Sequence, residues 1–219
     1  TMNCYACRRL TIDGIRIHTS LKEGVWADGI DPDGCSDVLI ANSVIETGDD
    51  AVVFYATDVW GPALPCENIT VTNCKLSSAS SAIKFCDGNT VCVRNVVIDN
   101  CVITDSNRGI AFMTFDGGYI ADVVISNCTI DTRRFDWFWW GDGDPLHFNL
   151  IPRSGDFHGW RLIVPVTIEV CLGYTAECDL IHTTKEGTST VLRGTKGDMV
   201  ISPWLLWIWK SIHQAPVYV

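Results

Sequence analysis

Asp28, Asp49 and Asp50 are the residues of this sequence whose type and spacing best suit a chemical reaction. Asp28 lies in Ala-Asp-Gly-Ile-Asp (27–31), and the pair lies in Thr-Gly-Asp-Asp (47–50), 21 residues after Asp28. One coil of a strand solenoid takes about 20 to 30 residues, so this spacing predicts that the three carboxylates meet on one face of adjacent coils. Inverting hydrolysis of a glycosidic bond needs such a cluster. One acid protonates the leaving oxygen, and a base about 6.5 to 9.5 Å away activates a water. The alternative is that Asp49 and Asp50 only solvate a turn.

A repeated strand pattern predicts the elements that hold these carboxylates. Four segments share the pattern V/I-x-I/V-x followed by Asn. In the three later segments a Cys follows this Asn. The four segments run over 38–45, 69–76, 96–103 and 123–130. Alternation of apolar and polar residues within each copy is typical of a strand, and the period is typical of coils that bury their apolar faces by stacking. We therefore predict an all-β, right-handed parallel β-helix over residues 1–198. Leucine-rich repeats have a similar period, but their L-x-x-L-x-L pattern is absent.

Two side-chain registers follow from the same repeat. Three Asn-Cys pairs recur at a 27-residue step. They are Asn73 with Cys74, Asn100 with Cys101, and Asn127 with Cys128. We expect the asparagines to form a ladder at a bend and the cysteines to stack as buried free thiols, because cysteine packs as a small apolar residue. Cys4 and Cys7 form a Cys-x-x-Cys, but no second pair stands at zinc spacing, so neither a metal site nor a cofactor is predicted. Spacing assigns no disulfide among the 11 cysteines.

Composition limits the partners and the location. The net charge of −10 argues against nucleic acid and anionic membranes as partners. The first residues show neither a basic start nor an apolar run, so no signal peptide is visible, although we expect a secreted or periplasmic monomer. The segment 199–219 lacks the repeat and is very apolar. It contains Pro203 and is too short for a transmembrane span. It is either a cap over the open end of the solenoid or an atypical terminus without a native role.

With these motifs in place, the sequence over roughly residues 4 to 185 resembles glycoside hydrolase family 28, the polygalacturonases and their relatives. Trp26-Ala27-Asp28-Gly29 stands for the family's Asn-Thr-Asp-Gly, and Gly48-Asp49-Asp50 stands for its Asp-Asp pair one coil later. The resemblance implies inverting hydrolysis with Asp49 as general acid, while Asp28 and Asp50 position and deprotonate the water. Clustered carboxylates cannot all ionise freely, so one is expected to keep a raised pKa and donate a proton.

Two family motifs are replaced. Ser81 stands where the Gly-His-Gly strand carries its histidine. The Arg-x-Lys that holds a substrate carboxylate should fall at Ala111, Phe112 and Met113. Alternation predicts that Ala111 and Met113 point outward and Phe112 inward, which makes the expected site apolar there. A desolvated uronate carboxylate without a cation is costly. We therefore expect a neutral or differently charged glycan in place of polygalacturonate.

Several other residues are candidates for substrate binding. Lys84 should point outward one coil earlier and could supply a displaced cation, or it could simply be solvated. Arg108 is a second candidate, although a role in the turn suits it better. An aromatic loop at 133–145 has two interpretations. Its rings could stack on the C–H faces of a sugar while its acids bond hydroxyls, or its tryptophans could cover the flank of the solenoid. Its candidates are Trp137, Trp139, Trp140, Asp142 and Asp144, flanked by Arg133 and Arg134. For the histidines at 147, 158 and 182 we expect structural or exposed positions.

These observations leave three classes of function. The first is a glycosidase that acts on a pectin-like or other polysaccharide or oligosaccharide. The second is a non-catalytic carbohydrate-binding β-helix that kept the fold and lost the chemistry. A polysaccharide lyase is the third, but it would need calcium and a basic arginine beside it, and no motif places that arginine. The three aspartates favour the hydrolase, whereas the replaced histidine, arginine and lysine favour the second class or a changed substrate.

Overall fold

The computed structural model describes residues 1–137, 141 and 143–149 with their side chains, and the backbone of three later strands. All regular structure in these parts of the chain is β-strand. In chain order the strands are β1 (Met2–Tyr5), β2 (Arg8–Asp13), β3 (Arg16–His18), β4 (Ile30–Asp33), β5 (Ser36–Ala41), β6 (Val44–Thr47), β7 (Val52–Phe54), β8 (Cys66–Thr72), β9 (Lys75–Ser78), β10 (Ser81–Phe85), β11 (Val93–Asp99), β12 (Val102–Ser106), β13 (Arg108–Met113), β14 (Ile120–Thr132), β15 (Asp144–Asn149), β16 (Val164–Leu172), β17 (Leu180–Thr183) and β18 (Ser189–Gly194).

The strands form a parallel solenoid of about five turns, which confirms the predicted fold class. One face is a six-stranded sheet in the order β1-β4-β7-β10-β13-β15, in which every pairing is parallel. The other two faces form one sheet in the order β2-β5-β8-β11-β14-β12-β9-β6-β3. They are joined because β14 runs through the bend that divides the earlier coils into two strands. Beyond them, β16 pairs with β14 and β18, and β17 lies antiparallel to β18.

The interior is filled by side chains that repeat from coil to coil. Phe54, Phe85, Phe112 and Phe148 form a row along the inside of the six-stranded sheet, with successive ring centroids 5.2, 4.8 and 4.8 Å apart. Phe112 is fully buried, as alternation predicted. Aromatic contacts of this kind stabilise a core beyond the area that they bury.

The asparagine ladder lies at the predicted bend. Asn73 donates from Nδ2 to Asn42 Oδ1 at 2.7 Å, and Asn100 donates to Asn73 Oδ1 at 3.4 Å. All three have φ near +52°, in the left-handed region that asparagine tolerates better than most residues. Asn127 ends the ladder, because its amide bonds Asp99 at 2.8 Å. The side chains therefore turn the chain and link the coils at the same positions.

A second ladder was not predicted. Asn68 donates to Asp37 at 3.0 Å, and Asn95 donates to Asn68 at 3.0 Å. These residues and Asp122 again have positive φ. The signal was present in the sequence, since positions 68, 95 and 122 also follow the 27-residue step.

The cysteine prediction is confirmed. Cys74, Cys101 and Cys128 are free and at most 1% exposed, and the Cys101 thiol lies 3.4 Å from the Asp99 carbonyl oxygen and 3.7 Å from that of Val71. Cys4 and Cys7 are also free. Across the described ranges, no helix has the length and apolar character needed to cross a membrane. The segment 199–219 lies outside the described residues.

Replacing Phe112 with alanine should lower the free energy of unfolding by about 3 to 5 kcal/mol, because it leaves a cavity between two stacked rings. Val124→Ala is the control, since Val124 is 41% exposed, and it should cost about 0.5 kcal/mol or less. Urea unfolding of both variants measures the difference. Equal small losses would contradict the inward orientation of Phe112.

Candidate active site

The three predicted aspartates come together on the outside of the six-stranded sheet. Asp28 precedes β4 and the pair precedes β7, so parallel pairing brings them to the same end of neighbouring strands. The Asp49 amide donates to the Ala27 carbonyl at 3.3 Å, and the Gly29 amide donates to the Asp50 carbonyl at 2.9 Å. One carboxylate oxygen from each aspartate lies within 4.8 Å of the other two.

This spacing is tighter than the expected range of about 6.5 to 9.5 Å between acid and base. The reason is local, because Asp28 Oδ1 and Asp49 Oδ1 both accept a hydrogen bond from the Asp50 amide, each at 3.0 Å. Two carboxylates are thereby drawn to one N–H group.

Asp50 is held as an anion by several donors. Its Oδ1 accepts from Ser80 Oγ at 2.6 Å and from the Ser81 amide at 2.8 Å, and its Oδ2 lies 3.1 Å from Lys84 Nζ. Arg108 Nη2 is 3.8 Å from Oδ1. Burial is the largest single influence and would raise the pKa of Asp50. Lys84 and then Arg108 oppose it, with the help of the Ser80 hydrogen bond, so the pKa is lowered.

The neighbouring acids behave in the opposite way. Burial, followed by repulsion from Asp50, raises the pKa of Asp28 to about 8 and also raises that of Asp49. The same two causes raise the pKa of Asp31 to about 7. The site therefore places one firmly ionised carboxylate beside three acids whose pKa values are raised, to about 8 for Asp28 and about 7 for Asp31.

Asp31 is a site residue that sequence reasoning missed. It is 3% exposed, and its Oδ1 has no hydrogen-bond partner among the described residues. Its position in Ala-Asp-Gly-Ile-Asp, three residues after Asp28, was the available signal. Alternation places residue 31 on the outer face of β4, because Ile30 is fully buried in the core.

Lys84 belongs to this site and is not simply solvated. Its side chain is 16% exposed, and Nζ lies 3.1 Å from Asp50 Oδ2 and 3.3 Å from Asp87 Oδ1. Burial, the largest influence, lowers its pKa, but the two carboxylates outweigh it and the pKa is raised. Lys84 thus neutralises Asp50 inside the site.

The suggestion that Arg108 serves the turn is wrong. Arg108 begins β13 in register with Ser81, and this pairing carries its side chain onto the site, where it is 3% exposed. Nη2 donates to Ser80 Oγ at 2.9 Å, and Nη1 lies 3.7 Å from Met113 Sδ. Burial is the main cause that lowers the pKa of the guanidinium. The prediction of an apolar surface at Ala111 and Met113 is wrong, because these residues are only 0% and 8% exposed and a buried cation lies beside them.

A histidine–carboxylate pair extends the same face and was also missed. His147 is in register with Ala111, which is in register with Lys84. Two strand steps place its backbone about 10 Å from that of Lys84. His147 Nδ1 lies 3.0 Å from Oδ2 of Asp144, whose residue is 9% exposed. The candidate Asp144 is thus brought to the outer face together with a partner that no sequence pattern had indicated.

The aromatic loop returns from the fifth coil to the first ones. Trp137 Nε1 donates to the Leu21 carbonyl at 3.2 Å, and its ring packs on the edge of buried Phe135 at 5.1 Å. The turn at 20–24 packs closely on Gly48. A Cβ added to Gly48 would collide with the Gly24 carbonyl. Trp137 therefore covers part of the flank close to the aspartates and keeps 45% of its surface exposed.

The remaining loop candidates are only partly described. Trp139, Trp140 and Asp142 lie outside the described residues. Arg133 forms an ion pair with Asp105 and stacks over the Phe135 ring at 3.8 Å, so its charge is already engaged.

The aspartate cluster is also the place where the described residues offer three ligands to a metal ion. A cation there would meet Lys84 Nζ, which already lies 3.1 Å from Asp50. Repulsion between the two charges opposes metal binding at this position.

The raised pKa values predict how stability depends on pH. Asp28 and Asp31 titrate near 3.8 when unfolded and near 8 and 7 when folded. The folded state therefore binds extra protons between about pH 4 and pH 8, and the stability from this protonation is lost as the pH rises through that window. The melting temperature should be higher at about pH 5 than at about pH 8.5, and Asp28→Asn should reduce the difference. Asp58→Asn, at an exposed position, is the control. A protein that is more stable at the higher pH would contradict these assignments.

Removal of one partner from the Lys84–Asp50 pair should be more costly than removal of both. Lys84→Met or Asp50→Asn alone should lower the free energy of unfolding by about 3 kcal/mol, because a buried charge loses its partner. The double variant should lose less than the sum of the single losses by about 1 to 3 kcal/mol. Arg94→Met, at an ion pair with Glu67 in which the arginine side chain is 44% exposed, should cost about 1 kcal/mol or less. Additive losses in urea unfolding would show that Lys84 and Asp50 are not coupled.

Comparison with known proteins places this geometry in a family. The family model described as glycosyl hydrolases family 28 matches residues 1–132, which include the aspartates, Lys84 and Arg108. A hyperthermoactive exopolygalacturonase from Thermotoga maritima has a similar structure, with a TM-score of 0.54 and 24% sequence identity over 78% of this chain and 38% of that chain. A family 28 exopolygalacturonase from Yersinia enterocolitica gives a TM-score of 0.46 at 17% identity, over 66% of this chain and 31% of that one. The chain thus spans less than two fifths of either enzyme. No curated protein matches the sequence. Since the family model covers more than half of its residues, the chain belongs to glycoside hydrolase family 28.

Proposed function

We propose that this protein hydrolyses O-glycosidic bonds of a pectin-like or related glycan and that Asp28, Asp49 and Asp50 carry the reaction. The observation that carries the proposal is the divergence of pKa values within one cluster. Asp50 is held ionised by Lys84 and Arg108, while burial raises the pKa of Asp28 to about 8 and raises that of Asp49. Titratable neighbours with divergent pKa values are typical of acid and base pairs in enzymes.

The proposed reaction needs one proton donor and one proton acceptor. Asp49 donates its proton to the glycosidic oxygen as the bond from that oxygen to the anomeric carbon breaks. A water attacks the anomeric carbon, and its proton passes to a carboxylate. Asp50 is that acceptor in the state described, because Asp28 is largely protonated below about pH 8. Asp28 positions the water. The donor role of Asp49 and inversion at the anomeric carbon follow from the family resemblance.

The charges around the site favour a glycan other than polygalacturonate. Both nearby cations, Lys84 and Arg108, already contact Asp50. Ala111 and Met113 are buried and uncharged, so neither offers a uronate a charge-assisted bond. A charge-assisted bond is worth about 1.5 to 3 kcal/mol, so its loss weakens binding about ten- to a hundredfold.

One observation favours a non-catalytic carbohydrate-binding protein as the second candidate. The Asp50 oxygens are occupied by Ser80 and Ser81 on one side and by Lys84 on the other. A carboxylate with so many donors is a weak base, because its anionic form is already stabilised. Binding without turnover would then be the outcome.

Asp49→Asn and Asp50→Asn should each lower kcat by about 10²- to 10⁴-fold, the usual contribution of a general acid or base. Asp58→Asn serves as the control and should leave kcat unchanged. The assay compares neutral galactan, rhamnose-containing pectin fragments and polygalacturonate, with NMR of the first anomer released.

Each outcome of this assay has a distinct meaning. An inverted product lost in both site variants supports the proposal, and a retained product refutes inversion. An unsaturated product that absorbs in the ultraviolet would indicate a lyase. Glycan binding without turnover would establish the second candidate. High activity on polygalacturonate that survives Lys84→Ala would refute the argument about the substrate.

A further inference from the structure

We propose that Trp26 is a stacking platform for a neutral pyranose ring of the glycan, next to the aspartate cluster. This inference rests on the proposed glycan substrate and adds a specific binding subsite to it. Trp26 lies two residues before Asp28. The carbonyl of the next residue, Ala27, accepts the Asp49 amide at 3.3 Å. The backbone that carries the indole ring is therefore fixed to the coil that carries the proposed general acid.

The Trp26 side chain contributes little to the core. The residue is 78% exposed, the highest value among the exposed large apolar residues of the described chain, and the other strongly exposed tryptophan, Trp60, is 63% exposed. Single exposed apolar residues are common on protein surfaces, so the position two residues before Asp28 is what distinguishes Trp26. An aromatic face presented to solvent beside a polar cluster suits the apolar C–H face of a sugar.

The backbone at Trp26 indicates that the ring is kept at a cost in stability. Its φ is +68°, in the left-handed region that bulky residues rarely adopt. Twelve described residues other than glycine have positive φ, and nine of them are Asn or Asp, whereas Trp26 is the one aromatic residue in the set. The fold thus uses asparagine or aspartate at nearly every comparable bend. Strain of this kind is commonly concentrated at functional sites.

A second aromatic residue contacts the turn that precedes Trp26. Trp137 is anchored to the turn at 20–24 through the Leu21 carbonyl, and the Ala27 amide bonds the Gly24 carbonyl of that turn at 2.9 Å. Trp26 and Trp137 therefore lie on the two sides of one turn. Asp28 and Asp49 can hydrogen-bond sugar hydroxyls, and neither offers a uronate a positive charge, so the geometry favours a neutral sugar unit here.

One substitution distinguishes an effect on glycan binding from an effect on the stability of the fold. Trp26→Asn removes the ring and supplies a residue suited to positive φ. Its KM for neutral galacto-oligosaccharides should rise about three- to tenfold, consistent with loss of one ring contact, while kcat changes less than about twofold. Its melting temperature should rise by about 2 to 4 °C as the strain is relieved. Trp26→Phe should keep most of the affinity, and the matched Trp60→Asn should leave KM unchanged.

Two results would overturn the proposal. The first is an unchanged KM in Trp26→Asn, or an equal change in Trp60→Asn, which would indicate a general surface effect. The second is a fall in melting temperature together with a fall in kcat, which would show a structural role. If the wild type hydrolyses none of the glycans, the proposed function fails. The affinity of wild type and Trp26→Asn for the same oligosaccharides, measured by calorimetry, then decides the role of Trp26 by itself. No difference between them, or no binding by either, would refute it.

Discussion

Hydrogen bonding between parallel strands of successive coils is the constraint on which the rest of this structure depends. In β1 to β15 it brings residues 22 to 36 positions apart to neighbouring places about 4.8 Å from each other. Asp28 and Asp50 meet in this way, and the register of β10 with β13 adds Lys84 and Arg108 to them. The same pairing stacks the phenylalanines inside and the asparagines at the bends. The core therefore lies on the inner face of the repeat and the site on its outer face.

Burial and ion pairing have opposite effects on the pKa values of the carboxyl groups at the site. Burial raises the pKa of every carboxyl in the cluster, and only Asp50 has enough donors to reverse the effect. Its anion then adds repulsion that raises the pKa values of Asp28, Asp31 and Asp49 further. The two cations beside Asp50 thus keep it ionised, while burial and the Asp50 anion raise the pKa values of the other three acids. The same pairing with Asp50 makes the two cations less available to a charged substrate.

The surface near the aspartates is shaped by chain segments from opposite ends of the solenoid. The loop after β14 packs Phe135 and Trp137 against the turn at 20–24, which itself packs on Gly48. The exposed ring of Trp26 lies beyond that turn. A glycan that reaches the carboxylates from this side would pass aromatic surface before it meets charge, which suits a ligand with apolar faces and hydroxyl edges.

The sequence by itself determined the solenoid, its bends and the position of the three aspartates, because a fixed period and strand alternation specify which residues stack and which face they share. The Asn-Cys step and the inward Phe112 were read in this way. Tertiary structure alone decided where Arg108, Asp31 and the His147–Asp144 pair lie. Whether a lone charged residue lies in solvent or against Asp50 depends on the register between coils and on the space left by neighbours such as Ala111. Neither is visible in the spacing of single residues, because each needs a partner from another coil.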